Sequence, residues 1–271
     1  SLERALNNNT INLNNTEIYL IKIYFLFNKI LNDQFIHYGE FIVDNEISLN
    51  SLLNIITKPS NVLNKITIIE GWSQRELNQE LSKYFKNTFN IPYEDIIADT
   101  YYFEKNQDFT YFVKKLNKIK KQYFNNYKNN KLLTQYSDNQ IMIIGSLLEK
   151  EGLDKDDKKM ISSVIFNRLN YKMKLQIDAT VLFAITNGKY NLKRKILLSD
   201  LKIDHLYNTY KNYGLPPKPI SYVGKKTLEI VFENYKTDFL FYFYNNSLKR
   251  HIFSKNYAEH KKKLNDYRNR K

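Results

Sequence analysis

A mostly apolar run from Ile141 to Leu148 ends in Glu149, Lys150 and Glu151, and these two carboxyls are the side chains with the clearest chemistry to offer. At about 100° per residue, positions two apart on a helix project to nearly opposite sides, so the two glutamates serve different neighbours. Glu151 follows Leu147 and Leu148 by four and three residues, which sets it beside the apolar face. Desolvation there favours the protonated carboxyl, and an acid that keeps its proton is what general-acid catalysis needs. Glu149 lies above Gly145 and Ser146 and suits a structural hydrogen bond. A solvated helix end has the same pattern, so spacing alone leaves both readings open.

Further on, Gln176, Asp178 and Thr180 alternate with Leu175, Ile177, Ala179 and Val181. The alternation predicts an extended segment over 174–180 with three polar groups on one face, suited to sugar hydroxyls and amides; an ordinary exposed strand face looks alike. Arg168 falls on the Ile161 and Val164 side of its helix, where pairing with a carboxylate is the default. Tyr207-Asn208-Thr209-Tyr210, ahead of Gly214-Leu215-Pro216-Pro217 and Pro219, predicts a stiff loop displaying hydroxyls and aromatic faces. His37, His205, His251 and His260 have no metal-ligand spacing and read as exposed or core histidines. No P-loop, dinucleotide fingerprint or Gly-x-Ser-x-Gly elbow occurs, so no metal or other cofactor is expected.

The elements that must hold these groups follow from periodicity. Helices are predicted over 17–32, 48–56, 73–85, 109–123, 140–151, 156–169 and 256–270, a strand over 66–69, and a hairpin pairing 239–244 with 250–253. A turn and short strand are expected over 37–43. Ser73 to Glu76 reads as a capping box. The apolar stretch 18–31 carries Lys22, Asn28 and Lys29 and is too short to span a membrane, so it reads as a packed helix. The polar, aperiodic stretch 125–131 marks a boundary between an N-terminal region, 1–130, and a second domain, 131–271. The architecture is α+β: a mainly helical domain with a small sheet, preceded by a smaller α+β domain.

Composition bounds the partners. The chain has 271 residues, 42% of them apolar, enough for a sizeable core. Cysteine is absent, which removes disulfides, thiol nucleophiles and Cys-ligated metals. The net charge of +14 comes from 35 Lys and only 7 Arg, beside many Asn and Tyr, so it favours an acidic partner without pointing to phosphate or base readout. No nucleic-acid partner is expected.

Taken together, the blocks Ser146-Leu147-Leu148-Glu149-Lys150-Glu151, Phe166-Asn167-Arg168-Leu169, Leu175-Gln176-Ile177-Asp178-Ala179-Thr180-Val181, Tyr207-Asn208-Thr209-Tyr210, Gly214-Leu215-Pro216-Pro217 and His251-x-Phe253 resemble the endolytic murein transglycosylases of the YceG-like (MltG) type. Tyr38-Gly39-Glu40-Phe41, Ile69-Glu70-Gly71-Trp72 and Asp99-Thr100-Tyr101 extend the resemblance towards the start of the chain. It implies Glu151 as the catalytic acid, Gln176, Asp178, Thr180, Tyr207, Asn208 and Tyr210 as substrate contacts, and Glu149, Asn167 and Arg168 as structural support. It further implies a LysM-like glycan-binding unit at about 66–100 and lytic cleavage of the MurNAc-GlcNAc β-1,4 bond inside glycan strands. The products would be 1,6-anhydro-MurNAc ends, and nascent strands would be kept short. Implied partners are peptidoglycan, peptidoglycan synthases (penicillin-binding proteins) and the cytoplasmic membrane, reached by an N-terminal single-pass anchor that precedes Ser1, with the catalytic part outside the cytoplasm. Gly152 stands where the family usually has Thr or Ala, and is expected to end the helix earlier and so reorient Glu151.

Overall fold

The computed structural model describes residues 14–32, 35, 37, 40–42, 47–60, 62–87, 89–105 and 107–269. Among them nine α-helices and two two-stranded sheets make an α+β fold that is mainly helical. The chain divides into two compact units, residues 1–65 with 102–108, and residues 66–101 with 109–271.

The first unit holds α1 (Asn15–Asn32) and α2 (Leu49–Ile56). Ser48 caps α2 by accepting from Ser51 N at 3.2 Å, and Leu52, Leu53 and Ile56 build a small core with Phe25, Phe41 and Ile47. The expectation of a packed helix at 18–31 holds for Ile21 and Phe25, whereas Tyr19, Leu20, Leu26 and Phe27 are more than half exposed. An eight-residue partner such as α2 covers only about two turns. No helix of the described residues is long and apolar enough to cross a membrane. Of the turn and strand expected over 37–43, Tyr38, Gly39 and Val43 lie outside the described residues, and Phe41 and Ile42 belong to no strand.

β1 (Leu63–Thr67) pairs with β2 (Thr100–Glu104), starting three residues before the predicted strand. In the second unit, α3 (Gln74–Leu81) opens on the expected capping box: Glu76 accepts from Ser73 N at 2.8 Å while Ser73 accepts from Glu76 N at 3.4 Å. Backbone bonds then stitch this stretch to a later one, Gly71 N to Tyr222 O at 2.8 Å, Tyr222 N to Trp72 O at 3.0 Å and Ala98 N to Val223 O at 2.7 Å. α4 (Phe109–Asn126) buries Phe109, Phe112, Leu116 and Phe124. The chain passes between the units at 65/66, 101/102 and 108/109, and not near 130, where composition put a boundary. Phe124, Leu132 and Phe232 share one apolar cluster, and Tyr127 stacks on Phe232 at 4.1 Å, so the chain makes its polar turn without leaving the core.

α5 (Asp138–Glu151) is the centre of that core, with every residue from Ile141 to Leu148 buried. A helix apolar all round must be enclosed on all sides. α6 (Lys155–Asn170), α7 (Asp178–Thr186) and α8 (Lys225–Glu233) enclose it, and the antiparallel hairpin β3 (Phe241–Asn245) and β4 (Arg250–Ser254) follows, then α9 (Tyr257–Asn269). At Gly145 the enclosure leaves no room for a side chain: a Cβ there would meet Val223 Cγ1 at 2.6 Å. Gly145→Ala is therefore expected to destabilise by about 1–3 kcal/mol, read from the urea unfolding midpoint.

Candidate active site

The two glutamates part as helical spacing requires. Glu149 Oε1 accepts from Gly224 N at 3.0 Å, and Oε2 pairs at 2.5 Å with Lys158 Nζ, which also donates to Thr227 Oγ1 at 2.9 Å. Its side chain is 3% exposed, so Glu149 is consumed in tying the end of α5 to α6 and α8. Glu151 is the last helical residue, and Gly152 leaves the helix in an extended conformation. A Cβ on Gly152 would lie 2.2 Å from Lys158 Cγ, so glycine lets Lys158 fold back onto Glu149.

Glu151 has no ion-pair partner among the described residues. Its Oε1 accepts from Ala179 N at 3.4 Å and its Oε2 from the Tyr242 hydroxyl at 3.3 Å. The first contact serves an orphan N–H at the start of α7, where Ile177 at the N-cap offers no side-chain acceptor. Burial is the largest influence on Glu151 and raises its carboxyl above the ordinary glutamate range; neighbouring Asp178 adds to the rise, while the Ala179 N–H, the Tyr242 O–H and His251 oppose it. Burial, with Glu151 alongside, pushes the Tyr242 phenol well up, so it remains an O–H donor.

Asp178 opens α7 and accepts from the Tyr210 hydroxyl at 2.6 Å. Gln176 is exposed at φ 53°, with its N–H on Thr209 O at 3.2 Å. The single polar strand face expected over 174–180 is not formed, because the helix begins at Asp178. Thr180 Oγ1 bonds back to Ile177 O at 2.6 Å and meets Thr209 Oγ1 at 2.9 Å, closing a helical turn that turns Thr180 inward to full burial. Asn208 is fully buried too, donating to Leu201 O at 3.0 Å and Ile203 O at 2.8 Å. Thr180 and Asn208, expected as substrate contacts, thus have no surface to offer and instead brace the loop. Tyr207 packs on Phe183, ring centroids 4.6 Å apart. Glu151, Asp178, Tyr210 and Tyr242 are the polar groups brought together, with Gln176 beside them.

Arg168 is paired with no carboxylate among the described residues. Nε donates to Leu240 O at 2.6 Å, Nη1 to Leu175 O at 2.7 Å and Lys174 O at 3.2 Å, and the guanidinium lies over the Phe241 ring at 5.1 Å. Asn167 donates to Thr237 O at 2.7 Å and Phe239 O at 2.9 Å. Two adjacent residues of α6 therefore hold both segments that reach Glu151, the one leading to α7 and the one leading to β3. Carbonyls replace the expected carboxylate because irregular backbone on two sides needs donors, which a five-donor fork supplies. Tyr242 carried no signal in the sequence, since its partner is 91 residues away. A cleft of about 590 Å³ is lined by Leu169, Lys172, Met173, Tyr213 and Gly214 and by none of Glu151, Asp178, Tyr210 or Tyr242, and Lys174 Nζ sits 5.0 Å from the Tyr213 ring centre.

A buried glutamic acid at the end of a core helix, held by two neutral donors and in no ion pair among the described residues, is a group able to do acid-base chemistry of the kind used on glycosidic bonds. The chain belongs to the YceG-like family, whose model matches residues 3–266. It is 39% identical over 155 residues to the endolytic murein transglycosylase of Bacillus subtilis, a match covering 57% of this chain and 42% of that protein. Over 138 residues it is 33% identical to the endolytic murein transglycosylase of Streptococcus pneumoniae D39, covering 49% of this chain and 24% of that one. The chain thus spans less than half the length of these relatives. The crystal structure of a yceG-like protein from Listeria monocytogenes has the same fold, with a TM-score of 0.63 and 24% identity over 93% of this chain and 90% of the other.

Proposed function

We propose that this chain carries the cutting site of an endolytic peptidoglycan lytic transglycosylase. Glu151 protonates the leaving oxygen of the MurNAc-GlcNAc β-1,4 bond and an oxocarbenium-like centre develops at C1. The same carboxylate then takes the proton of the C6 hydroxyl as that oxygen closes on C1, leaving a 1,6-anhydro-MurNAc end. The observation that carries this reading is the state of Glu151: desolvated, held by two neutral donors and in no ion pair among the described residues. A carboxyl in a salt bridge could not keep a proton to give. Gln176, Asp178 and Tyr210 are proposed as sugar contacts and Tyr207 as a wall of the loop that carries them, while Glu149, Asn167 and Arg168 keep the frame. The strand, Gly71 turn and capped α3 are proposed as a LysM-like glycan grip. In the cell the chain would work outside the cytoplasm next to peptidoglycan synthases, anchored by a segment ahead of Ser1.

The test is digestion of purified peptidoglycan with product analysis by mass spectrometry. Anhydromuramyl ends made by the wild type support the reading. Ordinary reducing ends would identify a hydrolase, for which Asp178, a second carboxylate acting on Glu151, is the specific residue to suspect. The pH profile adds a second check. The acid must be protonated, so activity falls as pH rises through the Glu151 pKa. The Tyr242 hydroxyl lowers that pKa by bonding the carboxylate. Tyr242→Phe is therefore expected to move this limb of the kcat profile to higher pH, with a loss of roughly tenfold to a hundredfold at its optimum, because Glu151 keeps only one of its two positioning donors.

A further inference from the structure

Against the ring of Tyr242 stands a histidine that the acid-base scheme does not use. His251 is in β4, and the hairpin register pairs Tyr244 with His251 and Tyr242 with Phe253, so these four side chains share one sheet face. The imidazole meets Tyr242 edge to face at 5.3 Å and 89°, and Tyr244 at 5.3 Å. Its side chain is 7% exposed. Nδ1 lies 2.8 Å and 3.1 Å from the two carboxylate oxygens of Asp157, which only accept, so Nδ1 carries the proton and donates. Asp157 is itself fixed by the corner that follows Glu151: its Oδ2 accepts from Leu153 N at 3.0 Å and its N–H donates to Asp154 Oδ1 at 2.9 Å. The contacts close a ring, from Glu151 through the 152–153 turn to Asp157, His251 and Tyr242, and back to Glu151.

We propose that His251, oriented by Asp157, is a positioning residue that holds the Tyr242 hydroxyl on Glu151. The Tyr242 ring packs on Phe253, centroids 6.0 Å apart, as well as on His251, and the 3.3 Å hydroxyl contact is long enough to be lost by a small rotation. The groups bearing on Glu151 are Asp178 from α7, Tyr242 from β3 and His251 from β4; those on Tyr242 include Arg168 from α6 and Tyr210 from the loop. This inference rests on the transglycosylase reading for its effect on turnover, but not for its effect on the carboxyl.

His251→Leu keeps the bulk and removes the donor, and His251→Asn returns an N–H near the Nδ1 position. The leucine variant is expected to lose roughly tenfold to a hundredfold in kcat, the scale of a misplacement of about 1 Å, with KM nearly unchanged. The asparagine variant is expected to recover most of the loss. In a Tyr242→Phe background His251→Leu should cost little more, because the two act through one contact. A 13C NMR titration of the Glu151 carboxyl reads the same coupling without substrate: His251→Leu should raise its midpoint in the wild-type background, and by much less in a Tyr242→Phe background, where only the direct charge of the imidazole is lost. A wild-type midpoint and kcat in His251→Leu, or fully additive losses with Tyr242→Phe, would overturn the inference. Should His251→Leu fail to fold, Asp157→Asn is titrated in its place, with the same rise expected. If no anhydro product forms while the NMR midpoints move as described, the transglycosylase reading fails and the positioning role stands.

Discussion

In a Glu151→Gln variant, release of anhydromuramyl ends falls by roughly 10²- to 10⁴-fold, the usual contribution of a positioned general acid-base group. Glutamine has the same shape, and its amide oxygen can still accept from Ala179 N, so the fold survives the exchange. Stability is expected to rise rather than fall, and the sign follows from linkage. Burial raises the Glu151 carboxyl in the folded protein. Between the unfolded and the folded pKa the unfolded chain binds fewer protons, so wild-type stability declines as pH rises through that window. Its contribution is whole only below the unfolded value. Glutamine has no proton to lose, so thermal melts of the two proteins should draw together in acid and separate above the folded pKa, the variant melting higher. A variant inactive because it is unfolded would show the opposite order, and unchanged turnover would remove Glu151 from the chemistry.

The second large effect belongs to Arg168. Its guanidinium donates to Leu240 O, Lys174 O and Leu175 O from a side chain that is almost wholly buried. Arg168→Ala leaves those carbonyls without donors and empties the space over Phe241. A net loss of about 3–5 kcal/mol is expected, from bonds to a charged donor and from the acceptors left dry. Urea unfolding measures it directly. Arg168→Lys should recover only a minor part, since one ammonium cannot reach both segments as the planar fork does. Activity should fall in both variants even where they stay folded. The segments released are those that present Ala179 and Tyr242 to Glu151. An alanine variant as stable as the wild type would mean that the two segments hold their own geometry.

Local rules carried much of this structure. The capping box at Ser73 and Glu76, the apolar stripe of α4, the enclosed α5 and the closing hairpin all follow from residues within a few positions of one another, because capping and periodicity are short-range physics. The same rules separated Glu149 from Glu151 by helical phase alone. They failed where two local solutions compete. Residues 174–180 alternate as a strand does, yet Thr180 bonds back to Ile177 and Glu151 caps the new helix from 28 residues away, so the turn wins. They also failed for Arg168, whose partners are carbonyls up to 72 residues distant.

What the chain determined by itself is therefore the set of elements and the one carboxyl that leaves its helix on the apolar side. Tertiary structure alone decided that this carboxyl forms no ion pair among the described residues, that a phenol from a hairpin and an amide from a helix start are its donors, and that Thr180 and Asn208 face inward. The physical reason is range: a side chain's helical phase is set by its own backbone, whereas its desolvation and its hydrogen-bond partners depend on which distant segments fold against it.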